Sequence, residues 1–403
     1  MRNTARSWAL LVVAGLLYLS ANQTQVGWLY VMAALVAAGW LAARLVSPAR
    51  MLRGLTLTRR INGALPTDEL ELYAGQPVTV DLELKNTGRL PALQVRAMES
   101  CPFAAAADQA QAGFVSTVSA QARVQLSYTL RCARRGWFEF PPVRLASRAP
   151  FGLFSASRSL AVPTSGLAFP EYRELERLAL LDRMPAAENT FAHVGLGSEV
   201  LGVREYRPGD SRRHIHWRSS ARAGRLIVKE LAEETQPGLT VAVDLRAASV
   251  IGADENTSLE LAIKVAATLA RYATRRDLPL TLAANSLRWP APVGPLSWWS
   301  LMSYLARVQG EGDEPFADCL SGLGASTLVA AILTVPDEAA VAPLAERLRW
   351  GQGVLAVVID PAPFGGAAGQ AQALAARLLA AGVETRIVGN QPDWECALTD
   401  KDG

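Results

Sequence analysis

Residues 202–230 read Gly-Val-Arg-Glu-Tyr-Arg-Pro-Gly-Asp-Ser-Arg-Arg-His-Ile-His-Trp-Arg-Ser-Ser-Ala-Arg-Ala-Gly-Arg-Leu-Ile-Val-Lys-Glu, and no other stretch of the chain concentrates so many rare residue types. Eight Lys or Arg side chains lie between Arg204 and Lys229, with His214 and His216, two of only three histidines; the third, His193, is just upstream. Val203 to Arg207 alternates like a strand, and Pro208-Gly209 ends it with turn chemistry. An oxygen of Asp210 or Ser211 is placed to accept from the free N–H groups of a short helix. Gly224 is a natural stop for that helix, and Leu226 to Lys229 resumes an alternating pattern. On this reading Ile215 and Trp217 face inward while the arginines fan outward.

Arg204-Glu205-Tyr206-x-Pro208-Gly209-Asp210, Ile215-His216-Trp217 and Ser220-Ala221-Arg222 together resemble the signature of the Domain of Unknown Function 58 family. Its members are bacterial and archaeal membrane proteins with a von Willebrand A-like domain. The resemblance is specific here and looser over about residues 5–390. It implies association with MoxR-type AAA+ ATPases as assembly or chaperone partners, and it brings no catalytic activity. The candidate signature and docking residues are Arg204, Glu205, Tyr206, Pro208, Gly209, Asp210, Arg213, His216, Trp217, Arg218 and Arg222.

Outward from this segment, the chain organises into recognisable blocks. At 403 residues it has room for two or three domains, and a net charge of +3 gives no global case for nucleic-acid binding. Residues 1–50 contain two apolar runs, about 7–21 and 27–46, joined by Asn22-Gln23-Thr24-Gln25. The second has the length a bilayer core requires. No Ala-x-Ala site precedes the polar loop and another apolar span follows at once, so a helical hairpin is expected rather than a cleaved signal. Arg2 and Arg6 precede the first run; Arg44, Arg50, Arg53, Arg59 and Arg60 follow the second, and the loop is uncharged. The positive-inside rule then puts both ends in the cytoplasm.

Residues 55–165 show short alternating runs, as in Val78–Leu84, Val124–Leu130 and Trp137–Phe140, broken by turn residues; a β-sandwich is expected. Pro150 to Phe154 closes a later hairpin, with Ala149 where family members tend to carry an acid, and 104–107 reads as an irregular loop. No catalytic constellation occurs here. Residues 166–235 are the signature and its connector. Residues 236–395 alternate apolar strands (Leu239–Leu245, Pro279–Ala283, Leu328–Val335, Val354–Ile359, Glu384–Val388) with helices (Ser258–Arg271, Ala340–Leu348, Ala371–Ala380). That rhythm predicts a doubly wound α/β sheet and fits the von Willebrand A resemblance. The aromatic face of Trp298–Leu305 is expected to pack on that sheet, the alternative being a partner or membrane-surface contact.

In a von Willebrand A domain the first strand ends in Asp-x-Ser-x-Ser, because a hard divalent cation needs a carboxylate and hydroxyl oxygens. Here the strand ends Asp244-Leu245-Arg246-Ala247-Ala248, with Ser249 one position out of register. Only the Asp matches and Arg246 competes with a cation, so a degenerate site without metal is expected. Asp244 is expected to pair with Arg246 or a nearby arginine. Cys101, Cys132, Cys319 and Cys396 lack zinc spacing; Cys101 and Cys132 have a pairing option only in an oxidising compartment. His216 is expected to hydrogen-bond beside a packed Trp217 rather than to bind metal with His214. Gly195-Leu-Gly197 and Gly322-Leu-Gly324 are not phosphate loops.

These readings converge on a non-enzymatic, membrane-anchored adaptor facing the cytoplasm and working with a MoxR-type ATPase in assembly or maturation of protein complexes. No cofactor and no nucleic acid are expected. The alternative is a nucleic-acid- or phosphate-binding protein, or an enzyme, built on the Arg/His-rich segment 204–225.

Overall fold

The computed structural model describes residues 2–65, 70–178, 193–206, 215–233, 238–312, 314–324 and 328–399. Two compact units divide the chain, Met1–Phe169 and Pro170–Gly403.

The first unit begins with strand β1 (Arg2–Asn3) and two helices, α1 (Ala5–Thr24) and α2 (Gly27–Leu45). Both helices are long and apolar enough to cross a membrane. At 1.5 Å per residue each spans about 30 Å. The first runs past the expected end of its apolar core, through Asn22 to Thr24, and Gln25 closes it in the left-handed conformation (φ 58°). Ala21, Ala33 and Ala43 are buried between packed surfaces, and such small residues let helix backbones approach closely. Val12, Leu16, Trp28 and Leu35 point outward and stay exposed. Trp40 Nε1 donates to Ser7 Oγ at 2.9 Å, a polar clasp across the pair.

Helix α3 (Pro48–Arg53) starts on proline, whose missing N–H costs nothing in a first turn. It sends Met51 and Leu52 into the core of the β region. That region comprises β2 (Leu55–Ile61), β3 (Glu71–Tyr73), β4 (Pro77–Asn86), β5 (Ala92–Ser100), β6 (Ala110–Val118), β7 (Arg123–Arg131), β8 (Gly136–Glu139), β9 (Val143–Ser147), β10 (Phe154–Leu160) and β11 (Ser165–Phe169). The sheets run β1-β10-β9-β5-β6, β2-β4-β7 and β3-β11-β8. Alternate residues of β4 are buried, as its period-two pattern requires. Val80, Leu82 and Leu84 meet Val95, Ala97, Val143 and Leu145 in one core. Pro150 to Leu153 does connect β9 to β10 as a hairpin. The 104–107 segment is irregular, as expected, with Phe103 and Ala104 fully buried and a 3-10 turn over Ala106–Asp108. Cys101 and Cys132 are separate free thiols in the core.

Arg59, counted above among the charges flanking the second apolar run, is not a flanking charge. Its side chain is fully enclosed and donates to Glu99 Oε1 (2.6 Å), Val162 O and Thr164 Oγ1. Tyr128 donates to the other Glu99 oxygen.

The second unit carries the antiparallel pair β12 (His193–Glu205) and β13 (Ile227–Glu233), with the short helix α4 (Trp217–Ala223) between them in sequence. After it come β14 (Leu239–Val243), the minimal hairpin β15 (Gly252–Ala253) and β16 (Asn256–Thr257), α5 (Ser258–Thr274), β17 (Leu280–Ala284), α6 (Trp298–Arg307), α7 (Phe316–Ser321), β18 (Leu328–Leu333), α8 (Val341–Arg349), β19 (Gly353–Ile359), α9 (Gln370–Ala380) and β20 (Glu384–Val388). Strands β17-β14-β18-β19-β20 form one parallel sheet. Its central strands are buried throughout, the reason they read as continuous apolar runs. Ala242, Ala331, Leu333, Ala356 and Val358 pack with α7, α8 and α9. Helix α5 packs on the same strands, so residues of the opposite parity are left for it. Helix α6 buries Leu301, Met302 and Leu305 and packs against α5, not simply on the sheet as expected. Trp299 stays about half exposed.

Candidate functional site

The signature folds locally as follows. Ile215 is buried and bridges to Val228, and His216 N donates to Ile227 O at 2.8 Å. The next residue opens α4. Its cap is His216, whose Nδ1 accepts from Ser219 N at 3.2 Å and lies 2.7 Å from Ser219 Oγ. An imidazole nitrogen thus takes the free N–H of this helix, while Asp210 and Ser211, the expected caps, lie outside the described residues. Ser220 Oγ accepts from Ile227 N (2.9 Å) and lies 3.1 Å from His216 O, which pins the helix to β13. Gly224 stops the helix in the left-handed conformation (φ 68°), as expected.

Trp217 does not pack inward. Its side chain is 66% exposed, in contrast to the buried Ile215. Arg218 and Arg222 are exposed beside it, as expected. The strand ends at Glu205, which lies 3.3 Å from Arg225 with both side chains more than half exposed; such a pair contributes little. Tyr206 N donates to Leu226 O. Arg204 pairs with Val228 in the β12–β13 register. Pro208, Gly209, Asp210, Arg213 and His214 lie outside the described residues.

A second constellation stands at the carboxyl ends of the parallel strands. Asp244, Asn285 and Thr334 each follow directly on one of three neighbouring strands, β14, β17 and β18. This is where the strand order reverses, the place open α/β sheets use for ligands. Asp244 is fully buried. Its carboxylate accepts from Arg246 N (3.1 Å), Arg246 Nε (3.0 Å) and Nη2 (2.8 Å), Ser249 Oγ (2.8 Å) and Asn285 Nδ2 (3.0 Å). Arg246 Nη2 also reaches Asp337 Oδ2 at 2.8 Å. The hydrogen bond to Asp244 holds the Arg246 guanidinium above its ordinary pKa, against the opposing effect of burial. Thr334 Oγ1 donates to Asp244 O at 2.6 Å. Gly312 N donates to Leu245 O at 2.7 Å, and a Cβ on Gly312 would lie 2.6 Å from Asn285 O. Only glycine fits that approach.

The Asp244–Arg246 pairing is as the sequence implied, and Ser249 joins it despite its offset. Asn285, Thr334, Asp337 and Gly312 were missed. These residues do not fit a divalent cation. The oxygens that would ligate one are occupied by a guanidinium, which brings positive charge with five N–H donors and no acceptor. Among the described residues no group of three His, Cys, Asp or Glu side chains is placed to hold a metal. Burial pushes the Cys101 and Cys319 thiols up to about 11 and the Cys132 thiol up to about 12, which disfavours the thiolate at these three positions.

Comparison with known proteins adds one firm relation. Residues 202–311 match the family described as protein of unknown function DUF58, the family that the signature resembles. No curated protein matches the chain. Among solved structures, the CARDB domain of a Pyrococcus furiosus protein in complex with di-metal ions is similar at 10% identity over 28% of this chain and 94% of that one, with a TM-score of 0.17. The PilB minor pilin from Streptococcus sanguinis is similar at 7% identity over 75% of this chain and 84% of that one, with a TM-score of 0.29. At these scores neither likeness carries an argument about fold or function.

Proposed function

We propose that this protein is a membrane-anchored, non-enzymatic adaptor that docks a partner protein through the exposed face of α4. The observation that carries the reading is Trp217: a large indole left in solvent beside Arg218 and Arg222, on a helix pinned by His216 and Ser220. Tryptophan and arginine dominate binding energy at protein interfaces, and a rigid mount lowers the entropy cost of using them. The family resemblance implies a MoxR-type AAA+ ATPase as the partner. In the same reading α1 and α2 form a transmembrane hairpin, and the antiparallel sheets sharing one core form a β-sandwich. The parallel sheet with Asp244 at its rim is a von Willebrand A-like domain whose cation is replaced by Arg246. Arg2, Arg6, Arg44, Arg50 and Arg53 around an uncharged turn favour a cytoplasmic location for both ends.

Crosslinked pull-down from native membranes tests this. The wild type is expected to capture an AAA+ ATPase, and a Trp217→Ala, Arg218→Glu variant to lose about tenfold or more of that capture, as hot-spot loss predicts. Undiminished capture by the variant, or steeply salt-dependent nucleic-acid binding by the wild type, would replace the adaptor reading.

A further inference from the structure

We propose that the free edge of β6 pairs with the same strand of a second copy of this chain, antiparallel about a two-fold axis at Phe114. Strand β6 (Ala110–Val118) closes one end of the five-stranded sheet, and among the described residues it pairs with β5 alone. Its nine residues, Ala-Gln-Ala-Gly-Phe-Val-Ser-Thr-Val, hold no charge and no proline. An edge strand displays a row of unpaired N–H and C=O groups, and charges, proline or shortness ordinarily protect it. The other edges among the described residues keep to that rule. Strands β2, β7, β12, β13 and β20 carry charged residues. Strands β1, β3, β8, β15 and β16 have four residues or fewer, and Leu296 N donates to Leu280 O over the start of β17.

The strand is held firmly enough to act as a template. It runs in a single register with β5, from Ala110 opposite Ser100 to Val118 opposite Ala92. On its inner face Val115 enters the β core. Gly113 lets the strand lie close to β7, because a Cβ there would stand 2.8 Å from Leu126 Cδ1. On its outer face Ala112, Phe114 and Ser116 are exposed, and Phe114 keeps 63% of its surface in solvent. An aromatic this exposed, in the middle of an uncharged edge, is surface that another strand can cover.

The occupant follows from symmetry and charge. Phe114 is the central residue of β6, with four on either side. An antiparallel copy therefore sets Phe114 opposite Phe114, Ala112 opposite Ser116 and Ala110 opposite Val118. Facing aromatics are a favourable cross-strand pair, and no charge on either strand meets its own image. Arg96 sits opposite Phe114 on β5. The two-fold leaves it three strand spacings, about 14 Å, from its copy, beyond the ~8 Å reach of a charge in physiological salt. The two five-stranded sheets then run on as one, through the isologous kind of contact that closed dimers use.

The test uses the full chain in neutral detergent. Sedimentation equilibrium is expected to give a dimer for the wild type and for Phe114→Tyr. Phe114→Lys removes one favourable pair and sets two like charges face to face, and should weaken association about tenfold without moving the thermal unfolding midpoint. Register is read separately, in a Cys396→Ser background. Among Ala110→Cys, Ala112→Cys, Phe114→Cys and Ser116→Cys, the yield of intermolecular disulfide should peak at position 114 and be lowest at position 110. If Phe114→Lys lowers the unfolding midpoint, the cysteine series decides alone. A monomeric wild type, a dimer that a folded Phe114→Lys leaves intact, or equal disulfide yield at the four positions would overturn the proposal. A monomer that takes up an extended peptide on this edge would overturn it as well, because the edge would then serve a different protein.

Discussion

Arg59 and Arg246 each lay a guanidinium on a carboxylate, in opposite settings. The first pair is sealed: both side chains are essentially inaccessible, the remaining Arg59 donors go to Val162 O, Thr164 and Pro141 O, and the Phe140 ring lies 4.5 Å from the guanidinium carbon. The second is half open: Asp244 is buried, yet the Arg246 side chain keeps 24% of its surface exposed at the rim of the parallel sheet. A sealed pair only holds a fold. An open one stands where such sheets take ligands, and here the protein's own guanidinium occupies that position.

The largest effect should come from Arg59→Met. It strands Glu99 without a counter-charge inside the β core and should cost about 3–5 kcal/mol in denaturant unfolding of the full chain. A loss under about 1 kcal/mol would mean the pair is solvated. At the open pair, Arg246→Ser should cost less, about 1–3 kcal/mol, because water reaches the vacated space. Magnesium should recover part of that loss in Arg246→Ser and none of it in Arg59→Met, since the rim is open to an incoming cation while the Glu99 carboxylate is sealed from solvent. If magnesium leaves the unfolding of Arg246→Ser unmoved, the guanidinium is not standing in for a cation.

Smaller still is a pH effect shared by both units. Burial raises the Cys101 and Cys319 thiols from 9.0 to about 11. A group with a raised folded pKa contributes stability that is whole below its unfolded value and is lost as pH rises through the folded one. Stability should therefore fall between about pH 9 and about pH 11, with a shallower fall in Cys101→Ser; a flat profile would contradict the burial of these thiols. The smallest change is expected for Trp217→Ala, within about 0.5 kcal/mol of wild type by thermal unfolding, as for an ordinary surface position. A clear loss of stability would return the indole to the interior.

Much of the fold was legible because burial writes its own period into the sequence. The strands around Val80 and Val124 alternate, those around Val241, Ala330 and Val357 are continuous apolar runs, and each was located within a few residues. Some misses come from contact between distant residues and others from following the commoner role of a residue type. Arg59 looks like a membrane-flanking charge until Glu99, forty positions on, is placed beside it. Trp217 was assigned inward because apolar residues usually go there. The true cap of α4 was passed over because aspartate and serine are the commoner caps, whereas here an imidazole does the work. At the rim, Asp244 and Arg246 are two residues apart and their pairing could be foreseen. Asn285 and Thr334 arrive from other strands, and their only signal was a polar residue directly after each apolar run ended.

Strand β10 grips both feet of the helical pair. Its Phe154 pairs with Asn3 in β1, and its Arg158 holds the carbonyls at the end of α3. Thr4, just before α1, adds hydrogen bonds to Gly152 and Leu153. Two struts bolted to one beam cannot lean independently of it. If the pair sits in a bilayer as proposed, a thickness or lateral pressure that tilts the helices would load the β sheet directly, and the β region would feel the state of the surrounding lipid.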